Sequence, residues 1–218
     1  MIGLSRPYLQ ISDGKGLSYG GSQMRSEKEL IRRCGCGPVA ALDLCAYLEG
    51  RDRSPIPLED YNRELDRLCR RFFFLIPYVG INGISLIAGL NLMFLEKHLP
   101  YRAFWAASGG RLWERCEQML RKNIPVILSI GPNFPAFWGK NRLNFYVRMA
   151  DGRYLPSTST KAHYVTVTGM DENWVRISSW GRQYYISRKE YESYTKAHSN
   201  YLVSNLVVVK PLQKADRP

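Results

Sequence analysis

The chain has 218 residues, of which 45% are hydrophobic and 23% are charged, a composition that excludes disorder over most of its length. A chain of this size can bury about 70% of its surface without disulfides, which favours one large domain, or two lobes sharing a cleft, over two independent units. The 31 Lys and Arg residues against 19 Asp and Glu give a formal charge of +12, which favours anionic partners in general but identifies none.

The cysteines and the first residues bear on the cellular compartment. The cysteine count is 5, an odd number, and residues 1–10 lack the basic start and apolar core of a secretory signal. We therefore expect a reducing, cytoplasmic setting. Cys34 and Cys36 stand one residue apart without a second cysteine pair or a histidine cluster, so the spacing predicts no metal site.

The first half of the chain predicts mainly helices. Residues 1–29 are polar and glycine-rich, and we interpret them as an irregular lead-in. Apolar residues at helical spacing, with Pro or acidic residues in first turns, then predict helices over about 37–48, from 58 to about 71, over 85–98 and over 110–122.

The stretch from Phe72 to Leu95 contains no charged residue and is therefore tested as a membrane span. Pro77, Gly80 and Gly89 interrupt it, which is unfavourable for a spanning helix. We expect no membrane span here, but a buried strand or loop that leads into a buried helix.

The second half of the chain changes to strands. β-branched and alternating runs predict short antiparallel strands over about 124–130, 145–150, 163–168, 174–177, 184–186 and 202–210. Ser187 and Glu190 have the spacing of a capping box, which predicts a short helix to about Lys196. A helical first half and a β-rich second half together predict an α+β fold.

Cys36 is the candidate nucleophile, because it directly precedes the Gly-Pro pair that opens a predicted helix. A helix N-terminus and an imidazolium partner can together lower a cysteine pKa by several units. Among the histidines, His98 ends an apolar helix and His198 lies in a polar connection, whereas His163 begins an alternating strand that can hold its ring in a cleft. The alternative for His163 is an ordinary half-buried strand histidine.

Four short segments resemble one known family. Residues 36–42, Cys-Gly-Pro-Val-Ala-Ala-Leu, resemble the nucleophile segment of papain-superfamily cysteine peptidases of the bacteriocin-processing-like branch. Residues 162–171 resemble the histidine strand of that branch and the turn after it, and residues 177–181 resemble the segment with its third residue. Residues 124–127 resemble the strand that precedes the histidine.

The resemblance implies a fold and an activity. The fold would be papain-like and two-lobed, a single domain over 1–218 with a helical lobe at about 30–122 and a β lobe at about 123–210. Cys36 would attack a carbonyl carbon and His163 would carry its proton, with an acyl-enzyme intermediate. The expected protein is a cysteine peptidase or a related amide or thioester hydrolase that acts on a peptide segment and requires no cofactor.

Two positions depart from the family pattern. The orienting Asn or Asp of the family corresponds to Ser178, so either the Cys-His pair works as a dyad or another acceptor such as Asp171 replaces it. The oxyanion-hole Gln or Asn usually stands a few residues before the nucleophile, but the nearest upstream glutamine is Gln23. Backbone N–H groups at the helix start are the alternative donors. Three aromatic residues are expected either to flank the site or to belong to the core of the β lobe: Trp138, Tyr164 and Trp180.

Two other classes of function remain open. An inactive papain-like module would use the same cleft to bind a peptide or protein, with Cys36 as a structural thiol. A nucleic-acid-binding protein would use the basic surface and the aromatic residues, which make up 12% of the chain, although no nucleic-acid-binding motif is present.

Overall fold

A computed structural model describes residues 1–106, 111–133 and 139–212. Within these ranges the chain forms helices α1 (Glu29–Cys34), α2 (Cys36–Leu48), α3 (Leu58–Arg71), α4 (Gly83–Glu96), α5 (Leu112–Arg121) and α6 (Arg188–His198). The strands are β1 (Ile2–Gly3), β2 (Gln10–Ser12), β3 (Leu17–Tyr19), β4 (Ile56–Pro57), β5 (Tyr101–Trp105), β6 (Val126–Ile130), β7 (Leu143–Arg148), β8 (Tyr154–Thr160), β9 (His163–Met170), β10 (Trp174–Ser179), β11 (Arg182–Ser187) and β12 (Leu206–Pro211).

The strands of the second half form one large antiparallel sheet together with β5 and β1 from the first half. Its order is β5-β12-β6-β9-β10-β11-β7-β8, and β1 pairs with β9 outside this path. A small second sheet has the order β3-β2-β4. Helices α2, α3 and α4 come from the first half of the chain, so the α+β fold class with a helical first half and a β-rich second half is confirmed.

Helix α2 is the central helix of the fold. Every residue from Gly37 to Tyr47 is buried, as expected for a helix that is apolar on all sides. The helix packs on β9 and on α3 and α4. Its position fixes its first residue, Cys36, against the strand that begins with His163.

The predicted helices are found close to their expected bounds, and the capping box is present because the Ser187 side chain accepts a hydrogen bond from the Glu190 N–H. The expectation of an irregular lead-in over 1–29 is wrong. This segment contains β1, β2, β3, a 3₁₀ turn over Gln23–Arg25 and the start of α1. Strands of two or three residues are too short to show a periodic pattern, and β1 and β2 also pair with β9 and β4, which lie far along the chain.

The uncharged stretch from Phe72 to Leu95 contains α4, and no described helix is long and apolar enough to cross a membrane. Burial of the whole stretch, as expected from its composition, is not observed. Tyr78 stands in a tight turn with φ of 65° and is 86% exposed, and Ile84 is 83% exposed. Both side chains line a cleft that Cys36 and His163 also line.

Candidate active site

The nucleophile candidate Cys36 is the first residue of α2 and is half-buried. Burial raises the pKa of the Cys36 thiol, and hydrogen bonds from the backbone N–H groups of Tyr164 and Gly37 oppose this increase in part. Cys34, two residues earlier, ends α1 and is buried. The thiol at the helix start is therefore held in its neutral form despite its position at a helix N-terminus.

His163 begins β9, as expected, and is buried. Its Nε2 is joined to Oγ of Ser179 by a hydrogen bond of 2.8 Å. The Trp180 ring stacks on the imidazole at a centroid distance of 4.5 Å and an interplanar angle of 25°. Burial lowers the pKa of His163 to about 3, so the imidazole is neutral near pH 7.

The residue that contacts the imidazole is Ser179 and not Ser178, which the resemblance had indicated. The Ser178 hydroxyl instead donates to the carbonyl oxygen of Tyr19 at 2.8 Å. Successive side chains of a strand point to opposite faces of the sheet, so only one of two neighbouring serines can share a face with His163. The pairing of β10 with β9 also shifts in register between Arg176 and Ile177. Counting residues along the sequence therefore does not give the residue of β10 that faces His163.

Asp171 does not replace the missing orienting residue. It follows β9 at the end opposite to His163, which corresponds to a separation of about 25 Å along an extended strand. Its Oδ1 accepts hydrogen bonds from the N–H groups of Asn173 and Trp174. The carboxylate therefore stabilises the turn between β9 and β10 and is too distant to orient the imidazole.

Gln23 is brought to the nucleophile although it stands thirteen positions before Cys36 in the sequence. The Gln23 side chain is buried and lines one small cavity together with Cys36, His163 and Trp180. Its Nε2 donates to the carbonyl oxygen of Arg32 at 3.0 Å, which uses one of the two N–H groups of the amide. The second N–H group is the one that can serve a ligand in the cavity.

Aromatic side chains surround the imidazole. Phe145 lies 6.3 Å from the His163 ring and 5.5 Å from the Trp180 ring between centroids. Tyr164 lines the same small cavity as Cys36. Trp138, the third aromatic residue predicted to flank the site, lies outside the described residues. The aromatic contacts remove water from the imidazole, which is the physical reason for its low pKa.

One residue of the cavity, Asp43, was not identified from the sequence. Asp43 lies seven residues after Cys36 on α2, is 1% exposed and lines the same cavity. Its carboxylate accepts hydrogen bonds from the hydroxyl groups of Tyr8 and Tyr61 at 3.0 and 2.7 Å. Burial raises the pKa of Asp43 from 3.8 to about 6, against the opposing effect of these hydrogen bonds. An aspartate within an apolar helix could have drawn attention to this position.

The raised pKa of Asp43 predicts a specific dependence of stability on pH. The contribution of the buried, protonated Asp43 to the free energy of unfolding is fully present below pH 3.8, the ordinary pKa. It is lost as the pH rises through about 6, and the loss corresponds to roughly 3 kcal/mol. Because His163 also titrates in this range in the unfolded state of both proteins, urea unfolding should show that the free energy of unfolding of the wild type, relative to that of Asp43→Asn, falls by this amount from pH 4 to pH 8. Equal pH slopes for the two proteins would contradict the prediction.

A cleft of about 650 Å³ opens beside the small cavity, and Cys36 and His163 line both. Three large apolar side chains on its lining are strongly exposed: Tyr78 at 86%, Ile84 at 83% and Leu202 at 78%. The charged side chain among the described lining residues is Arg33. The cleft therefore presents an apolar surface at the nucleophile. Within the described parts of the chain, no cluster of three or more His, Cys, Asp or Glu residues is arranged to hold a metal ion.

Comparison with solved structures shows a similar chain path in a known protein. The match is the crystal structure of a candidate C39-like peptidase from Bacillus anthracis, with 14% sequence identity and a TM-score of 0.47 over 88% of this chain and 94% of that chain. No protein-family model matches the chain, and no curated protein matches it.

Proposed function

We propose that the chain is a single papain-like domain and acts as a cysteine hydrolase on amide bonds of peptide segments, in the manner of bacteriocin-processing-like peptidases. One observation supports this proposal above the others. A cysteine at the first residue of a buried helix and a histidine at the start of a neighbouring strand line the same cavity, with a glutamine amide beside them. A nucleophile, a base and an oxyanion donor are the three groups that acyl transfer requires.

In the proposed reaction, we assign the imidazole proton to Nε2 of His163, so that this N–H donates the hydrogen bond that joins Nε2 to Oγ of Ser179. Nδ1 is then the nitrogen that accepts the thiol proton while Sγ of Cys36 bonds to the carbonyl carbon. The resulting oxyanion would bind the free N–H of Gln23 and backbone N–H groups at the start of α2. His163 returns the proton to the leaving amine, and water releases the acyl group in the second half of the reaction.

The cleft beside the pair indicates the kind of segment that would bind. Its exposed side chains Tyr78, Ile84 and Leu202 are apolar, and apolar walls with a few convergent polar groups are typical of ligand sites. We therefore infer that the substrate carries large apolar side chains next to the cleaved bond.

A second candidate function has one specific observation in its favour. Burial raises the pKa of the Cys36 thiol and lowers the pKa of His163 to about 3, so both groups are neutral in the free protein. If the thiol proton of Cys36 is not transferred to His163, the protein would be a peptide-binding module with an unreactive Cys36 thiol.

Labelling with an acetyl-dileucine chloromethyl ketone distinguishes the two functions. We expect Cys36 to be labelled much faster than by iodoacetamide, since the peptide part fills the apolar cleft, and His163→Gln should slow the labelling by roughly a hundredfold or more because the base is lost. Peptide mass spectrometry identifies the labelled cysteine.

The matched control is Cys34→Ser, because Cys34 lines the same cleft and its loss should leave the labelling of Cys36 unchanged. Saturable binding of acetyl-dileucine amide without labelling of Cys36 would refute the hydrolase and support the binding module. Labelling at a rate that does not depend on His163 would also refute the proposed pair.

A further inference from the structure

The buried carboxylate of Asp43 joins the nucleophile helix to the segment that carries Gln23. Its Oδ1 and Oδ2 accept the N–H of Gly21 at 3.1 and 3.0 Å, and Gly21 stands two residues before Gln23. Asp43 itself lies two turns along α2 from Cys36. One side chain thus fixes the distance between the helix with the nucleophile and the segment with the candidate oxyanion donor.

The same segment also contacts the hairpin that carries the partner of His163. The carbonyl oxygen of Gly21 accepts the N–H of Gly181 at 2.9 Å, and the N–H of Tyr19 donates to the Gly181 carbonyl at 2.9 Å. Gly181 follows directly on Ser179 and Trp180. The segment from Tyr19 to Gly21 therefore lies between Asp43 on one side and the Ser179-Trp180 turn on the other.

Two glycines are required for this close packing. Gly20 has φ of +73°, and a Cβ there would lie 2.5 Å from Oδ2 of Asp43. A Cβ on Gly21 would lie 1.9 Å from the Tyr61 hydroxyl oxygen. Since side chains are excluded at both positions, the backbone can approach the carboxylate directly.

We propose that Asp43 is a positioning residue whose ionised carboxylate holds Gly21, and through it Gln23, at the distance from Cys36 that the reaction requires. The proposal rests on the proposed function for the roles of Cys36 and Gln23. The link itself, between ionisation of Asp43 and the position of Gln23, is a property of the fold that can be measured without a substrate.

Protonation of Asp43 would disrupt this arrangement, because a protonated carboxyl group becomes a donor at one oxygen and loses acceptor capacity. The groups that face the carboxylate are the hydroxyls of Tyr8 and Tyr61 and the Gly21 N–H. Thr166 of β9 bonds to Tyr8, and Ser178 of β10 lies next to Gly20. Cys36 and His163 line the same cavity. Because burial lowers the pKa of His163 to about 3, His163 stays neutral over the pH range in which Asp43 titrates.

An NMR titration of the full chain from pH 4.5 to pH 7.5 tests the link. In the wild type, we expect the backbone amide of Gly21 and the side-chain amide of Gln23 to shift together with a midpoint near pH 6. In Asp43→Asn both shifts should be absent, because the amide keeps an acceptor for Gly21 but does not ionise. Asp60→Asn, which removes an exposed carboxylate next to Tyr61, is the matched control and should titrate as the wild type does.

Two results would overturn the proposal: a Gly21 amide that does not titrate, or a Gly21 amide that titrates while the Gln23 side chain stays unchanged. Chloromethyl ketone labelling of Cys36 then tests the consequence for reactivity. Because only about one tenth of Asp43 is ionised one unit below its pKa, the ratio of the wild-type rate to the Asp43→Asn rate should fall about tenfold between pH 7 and pH 5; the ratio removes the ionisation of the thiol itself, which both proteins share.

A ratio of the two rates that stays constant between pH 7 and pH 5 would also overturn the proposal. If the wild type is not labelled at all, the proposed function fails, while the NMR titration still decides whether Asp43 positions Gln23. The two failures are therefore distinguishable.

Discussion

The Ser179→Asp variant is expected to react with iodoacetamide at Cys36 roughly ten to a thousand times faster at pH 7 than the wild type. Ser179 bonds to Nε2 of His163 but supplies no charge to stabilise an imidazolium. An adjacent carboxylate raises the pKa of a histidine by roughly one to three units. A higher histidine pKa increases the fraction of the thiolate-imidazolium pair by the same factor, and the thiolate is the form that alkylates.

The matched control is Ser179→Asn, which adds a similar volume without charge and should increase the rate far less. The combined variant Ser179→Asp with His163→Gln should lose the increase, because the carboxylate acts through the imidazole. If the combined variant reacted as fast as Ser179→Asp alone, the thiol would be activated by some other group and the assignment of His163 as its partner would be wrong.

The second large effect is a loss of stability in acid that depends on His163. Burial lowers the pKa of His163 from 6.5 to about 3, so its stabilising contribution is present above pH 6.5 and is lost as the pH falls toward 3. The difference corresponds to roughly 5 kcal/mol. Urea unfolding is followed by tryptophan fluorescence at pH values between 3 and 7.5. The slope of the free energy of unfolding against pH then measures this contribution.

The measurement is made in the Asp43→Asn background, because Asp43 changes stability in the opposite direction over an overlapping pH range. In that background, the slope below pH 6.5 should be steep with His163 present and small in His163→Gln, whose side chain does not titrate. Equal slopes in the two proteins would show that His163 is already solvated in the native state, contrary to its burial at 7% exposure.

The two predictions describe one property of the site. Trp180 and Phe145 surround the imidazole with apolar surface, and its hydrogen-bond partner is a neutral hydroxyl. The free protein therefore contains a thiol and an imidazole that are both neutral. In the proposed hydrolase, the proton moves only when a substrate carbonyl accepts the sulfur and the oxyanion donors stabilise the developing charge.

Much of the fold was predictable from local patterns. Helix α3 follows from apolar residues at steps of three and four with acidic residues in its first turn and basic residues in its last, and α6 follows from its capping box. The Asp151-Gly152 pair, a dipeptide typical of hairpin turns, lies in the connection between β7 and β8. Helix periodicity and turn chemistry depend on residues a few positions apart, so they can be read without knowing the tertiary structure.

The sequence by itself determined the α+β class, the position of Cys36 at the start of a helix and that of His163 at the start of a strand. Only the tertiary structure decided that Ser179 rather than Ser178 contacts the imidazole, and that Asp43 accepts a hydrogen bond from the segment that contains Gln23. Which side chain faces His163 depends on strand register and a bulge, and the position of Gln23 depends on a hydrogen bond between residues 22 positions apart. Contacts of this kind are set by the packing of whole elements, which no local sequence pattern encodes.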